Sequence, residues 1–114
     1  MSQMIAIPKT VLSRGEAVTI CRYVAVDRAV IVERVILPFE VVRAVIVRKL
    51  LVSGREIFVA EPRARLSWAL LETTLRLRRP VVRPGEDVEL RVQNVSDRDV
   101  AFEGSIVVRS QQVN

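Results

Sequence analysis

The sequence predicts an all-β protein: a two-sheet β-sandwich, and within that class a jelly roll of about eight short strands. Three observations predict it. Valine dominates the apolar residues, and its branched side chain prefers the pleated surface of a sheet. Apolar and polar residues alternate with period two in several segments. Gly, Pro, Asn and Asp punctuate the chain at short intervals, and no long amphipathic helix stands out between them.

Taken in order, residues 1–10 carry no landmark and are read as an extended N-terminal arm. Ser13-Arg14-Gly15 is a turn, and after it Val18, Ile20, Val24 and Val26 share one parity of a strand over residues 17–26. Residues 29–36 and 41–52 are almost continuously apolar, with Leu37-Pro38-Phe39 between them and Ser53-Gly54 closing the second. Such runs predict strands covered on both faces, or a surface that meets another subunit. A short strand follows at residues 57–60.

Residues 66–73 read equally as a strand or a helical turn. Leu75 and Leu77 alternate with Thr74, Arg76 and Arg78, which predicts a strand running into Pro80. Pro84-Gly85 joins a fixed φ to a residue tolerant of positive φ, the chemistry of a tight turn. Beyond it, Val88, Leu90 and Val92 face one way and Asp87, Glu89, Arg91 and Gln93 the other, a half-buried strand. Residues 100–109 alternate in the same manner, and the link at residues 94–99 reads as a hairpin because its side chains bond their own backbone in turns.

The chain has 114 residues and a formal charge of +5. A chain of that length buries roughly two-thirds of its unfolded surface, so residues 1–114 are expected to form one domain without disulfides or metal. Histidine is absent and Cys21 is the lone cysteine. That removes Ser-His-Asp and Cys-His sites, imidazole ligands and Cys-x-x-Cys knuckles, so no enzyme activity, cofactor or metal is expected. The N-terminus has no signal-peptide pattern, and the apolar region 29–47 is broken by charges and Pro38, so no membrane span is expected. Asn94-Val95-Ser96 matches a glycosylation triplet, but nothing else in the chain points to secretion.

Four segments carry a resemblance. They are residues 36–46, opening Ile36-Leu37-Pro38-Phe39; residues 52–58, with Val52-Ser53-Gly54; residues 84–96, Pro84-Gly85 through Asn94-Val95-Ser96; and Phe102-Glu103-Gly104-Ser105-Ile106. Over about residues 36–108 the chain resembles small single-jelly-roll or β-sandwich phage virion proteins that form or decorate capsids. The segment 84–96 also resembles immunoglobulin-like and CARDB-like modules. The virion resemblance implies a structural role, a homo-oligomer and no catalytic residues.

Charge along the chain is uneven. Residues 62–83 hold six arginines (Arg63, Arg65, Arg76, Arg78, Arg79 and Arg83) against Glu72, whereas residues 84–114 hold six acids against three arginines. Three readings remain open: electrostatic complementarity between copies or with an acidic shell, a solvated sheet face with pairs inside one chain, or phosphate binding. Nucleic acid is disfavoured, because the few aromatics are scattered and no RNA-recognition or OB-fold signature is present. Trp68 is either a core anchor or an interface residue.

These readings predict a viral structural protein that assembles on or in an icosahedral capsid, as decoration, minor or major capsid protein. Its partners are copies of itself, as trimer or pentamer, and other capsid proteins; its location is the virion, and the host cytoplasm before assembly. Candidate interface residues are Arg76, Arg78, Arg79, Arg83, Trp68, Phe39, Val45 and Val47. The alternative is a β-sandwich protein-binding or adaptor module of a cellular assembly.

Overall fold

The computed structural model describes residues 2–23, 27–60 and 67–110, without the side chains of residues 21–23. Arg63, Arg65 and the Cys21 side chain lie outside the described residues. The elements are β1 (Ser2–Leu12), β2 (Ala17–Tyr23), β3 (Val30–Ile36), α1 (Phe39–Ala44), β4 (Val45–Val52), β5 (Arg55–Val59), α2 (Ser67–Arg78), β6 (Val81–Val82), β7 (Asp87–Asn94) and β8 (Val100–Ser110).

They form two four-stranded sheets, ordered β1-β8-β3-β6 and β2-β7-β4-β5. Strand one pairs with strand eight, two with seven, three with six and four with five, all antiparallel. This is the order produced when one long antiparallel ribbon is rolled over on itself, and the β8·β3 and β7·β4 pairings close the roll. Among the described residues the strands form an eight-stranded jelly roll.

That topology corrects the expected hairpin at residues 94–99. β7 and β8 lie in different sheets, so the link arches from one sheet to the other. Asn94 is fully buried at this corner. Its amide nitrogen donates to the carbonyls of Leu12, Ser13 and Arg98, and its Oδ1 accepts from the backbone N–H and hydroxyl of Ser96. The glycosylation triplet is thus a structural corner.

The β4–β5 connection is a two-residue hairpin with Ser53 at φ 54° and Gly54 at φ 78°. Positive φ at both positions is the mirror-image turn whose twist matches its strands. The Pro84-Gly85 turn forms as expected, with Glu86 N–H donating to the Arg83 carbonyl and Gly85 at φ 88°. Residues 2–12 are no free arm, since β1 pairs with β8 almost throughout and breaks register only around Pro8, which has no N–H to donate.

Two helices replace expected strands. The strand predicted over residues 74–78 is the second half of α2, and residues 67–73 are its first half. Ser67, Leu71 and Leu75 recur every four residues and are buried, which aligns them on one helical face; the two-residue alternation of Leu75 and Leu77 was the weaker periodicity. α1 takes up the start of the apolar run at residues 41–52, burying Val41.

One core fills the space between the sheets. β4 is a central strand, and Val45, Val47, Leu50 and Val52 point into that core, as do Val30 and Val32 of β3. The apolar excess that suggested a subunit interface is therefore largely the chain's own interior. Val45 and Val47, each at 0% exposure, are core residues and not surface candidates.

Candidate assembly surface

α2 packs along β3, β4 and β5 and closes one side of the sandwich. Two bonds seat its start: the buried Ser67 hydroxyl accepts from Val47 N–H at 3.2 Å, and the Trp68 indole N–H donates to the Val45 carbonyl. The Trp68 ring lies 6.3 Å from that of the buried Phe102. These contacts make Trp68 an anchor between helix and core.

The far end of α2 stops in an unusual way. Arg79, at φ 44°, occupies the left-handed position after the last turn, where glycine is the usual residue, and Pro80 prevents continuation. Arg78 is turned aside, its Nη1 donating to the Ile57 carbonyl at 3.1 Å and tying the helix end to β5.

Along α2, against β3 and the end of β8, runs a groove of about 490 Å³. Four arginines line it, Arg34, Arg76, Arg79 and Arg109, with Glu33 and Glu72. Glu72 is shared, with Arg34 at 3.7 Å and Arg76 at 3.9 Å. Arg109 stands 3.0 Å from Glu33, but Glu33 Oε1 is buried and accepts no aligned hydrogen bond. Arg79 has no acidic partner among the described residues. Two carboxylates for four guanidiniums leave the groove with surplus positive charge. The two exposed Glu72 pairs hold by about 0–1 kcal/mol each, so incoming carboxylates can displace them at little cost.

The acid-rich region sits elsewhere. Asp97 and Asp99 occupy the exposed β7–β8 corner, with no basic partner among the described residues. β8 begins just after Asp99 and ends beside Arg109, and a strand of its length spans roughly 30 Å. Acidic corner and basic groove thus lie toward opposite ends of β8.

The remaining candidates scatter. Arg83 lies apart, in a smaller hollow with Arg55 and Glu86. Phe39, on α1, is 72% exposed, with the Arg43 guanidinium 5.5 Å from its ring centre. The structure brings Arg76 and Arg79 together, and adds Arg34 and Arg109, which sequence reasoning missed because they come from strands distant along the chain. Comparison with protein-family models, curated proteins and solved structures finds no match to this chain.

Proposed function

We propose that this chain is a non-enzymatic structural subunit of a virus particle, assembling on or in an icosahedral capsid through contacts between subunits. The observation that carries this reading is the strand order, β1-β8-β3-β6 against β2-β7-β4-β5. Jelly rolls of this kind serve as capsid proteins, lectins and cupins, so the surface must decide among them. Cupin-type metal sites rest on imidazole ligands, and the chain has no histidine. Sugar-binding surfaces stack rings on exposed aromatics, and among the described aromatic side chains only Phe39 is exposed.

The charge pattern supports assembly. An acidic corner on one copy, Asp97 and Asp99, complements the arginine groove on the next, which gives a head-to-tail contact of the kind that closes into rings. Arg79 supports the same reading from energetics. A left-handed backbone costs a non-glycine residue about 1–2 kcal/mol, and an arginine kept there is best explained by its guanidinium.

Electron microscopy of the purified chain at low ionic strength tests the proposal. Rings or closed shells are the expected result. A field of single, unassociated molecules at every salt concentration overturns it and favours the adaptor-module reading.

A further inference from the structure

Two departures from regular backbone meet at the arginine groove along α2. In β3 the register against β8 shifts between Val32 and Arg34, so Glu33 is an extra residue that forms a bulge. Val30 and Val32 point into the core, and in an unbroken strand Arg34 would follow them; the bulge turns it outward instead. The second departure is Arg79, at its left-handed φ of 44° directly after α2. The next residue, Pro80, accepts from Val32 N–H at 2.9 Å, which pins this end of the helix beside the bulge.

Both departures bring guanidiniums into one hollow with too few carboxylates to hold them. Glu33 is committed to Arg109 at 3.0 Å. Among the described residues of the groove that leaves Glu72 alone for Arg34, Arg76 and Arg79, and it stands 3.7 Å and 3.9 Å from the first two. Three cations against one anion leave a surplus of two charges. The carbonyl end of α2 offsets roughly half a charge, so the groove stays cationic.

A compact dianion answers that surplus. A carboxylate has two oxygens, and Glu72 engages its two neighbours without reaching Arg79. A phosphate carries its oxygens around one atom and can accept from three guanidiniums at once, and the guanidinium fork matches that geometry. Nucleic-acid phosphodiesters carry one charge each and call for an extended basic track, whereas these arginines share one hollow of about 490 Å³ with two acids among them.

We propose that the groove is a binding site for a phosphate dianion, free or as the terminal group of a small phosphate monoester, held by Arg34, Arg76 and Arg79. Glu72, exposed on α2, swings toward solvent as the ligand enters. The site does not depend on assembly. Its consequence rests on the head-to-tail reading: bound phosphate takes the arginines that Asp97 and Asp99 of the next copy would meet, and so keeps copies apart.

The chain carrying Asp97→Asn and Asp99→Asn leaves the groove free of a neighbouring copy. NMR titration of that chain with inorganic phosphate at about 0.05 M salt, read on the arginine side-chain signals, is expected to give one site with a dissociation constant on the order of 0.1–1 mM. Arg34→Gln and Arg79→Gln each weaken binding at least roughly tenfold, whereas Arg83→Gln, in the separate hollow, leaves it unchanged. Succinate, a dianion built from carboxylates, binds at least roughly tenfold more weakly than phosphate. Glycerol phosphate binding more tightly than phosphate identifies a monoester as the ligand, and equal binding identifies free phosphate.

No binding of phosphate, no loss with Arg34→Gln or Arg79→Gln, succinate as tight as phosphate, or tighter binding of an oligothymidylate without terminal phosphate overturns the proposal. Phosphate binding by a chain that never associates sinks the assembly reading and leaves the site standing. Assemblies that form but neither bind phosphate nor dissociate in it, at matched ionic strength, sink the site and leave assembly standing.

Discussion

The side-chain amide of Asn94, at the end of β7, donates to the main-chain carbonyl of Leu12, at the end of β1, at 3.1 Å. One buried side chain thereby joins the corner between β7 and β8 to the corner between β1 and β2, at the same end of the sandwich. Backbone bonds run alongside, from Gly15 N–H to the Asn94 carbonyl and from Asn94 N–H to the Glu16 carbonyl.

Asn94→Leu takes a donor from the Leu12 carbonyl and the acceptor from the Ser96 N–H, whereas the Ser13 and Arg98 carbonyls keep the Glu16 N–H and the Ser96 hydroxyl. Two unpaired groups at about 1–3 kcal/mol each give an expected loss of roughly 2–6 kcal/mol in urea unfolding. Asn94→Asp is expected to be nearly as damaging, since it aims a carboxylate at carbonyl oxygens. A midpoint equal to that of the parent would mean that the corner is held by its backbone bonds alone.

Gly104→Ala places a methyl 2.5 Å from Leu37 Cδ2 and 2.6 Å from the Ile36 carbonyl oxygen. The side chain can rotate away, but the backbone oxygen cannot, so a loss of about 1–3 kcal/mol is expected. Adding Leu37→Ala should fail to rescue it. Rescue would show that the side chain, and not the close approach of two strands, is the constraint.

Ser53 combines two small costs, a left-handed φ of 54° and a buried hydroxyl with no hydrogen-bond partner among the described residues. Ser53→Gly removes both and keeps the bond from its N–H to the Asp87 carbonyl. A stabilisation of about 0.5–1 kcal/mol is expected from thermal unfolding, after the extra chain entropy of glycine is deducted. An unchanged or lower melting temperature would contradict it.

Arg79→Gly separates stability from assembly. Relief of the left-handed backbone should raise stability by about 1 kcal/mol, while loss of the guanidinium from the groove weakens association. Stability and self-association, measured on one sample, should move in opposite directions. A variant that is both more stable and equally associated would assign Arg79 no part in assembly.

The parts of the fold legible in the sequence were those decided locally. The alternation of Val88, Leu90 and Val92 is met by a strand with those three side chains buried, and Pro84-Gly85 forms its turn. What stayed hidden was decided between distant segments. Residues 94–99 have turn chemistry whether the chain folds back in the same sheet or crosses to the other, and only the partners of β7 and β8 settle which. Leu75 and Leu77 offered too short an alternation to outweigh the four-residue spacing of Ser67, Leu71 and Leu75 and the stop at Pro80.

The surface was legible in kind and not in membership. The split between basic and acidic regions is visible in the sequence, yet nothing local distinguishes a central strand from an interface strand, and Val45 and Val47, expected at an interface, lie in the core. Arg34 and Arg109 reach the groove through the pairing of β3 with β8, which no linear pattern displays.

The most direct measurement is the solution mass of the chain by light scattering after size exclusion, at about 0.1 M and about 1 M salt, where the screening length falls from about 10 Å to about 3 Å. A discrete oligomer larger than a dimer at low salt, which falls apart at high salt and fails to form when Arg76 and Arg79 become glutamate, is the expected result. A single mass at both salt concentrations, unchanged by those substitutions, would contradict assembly through the arginine groove.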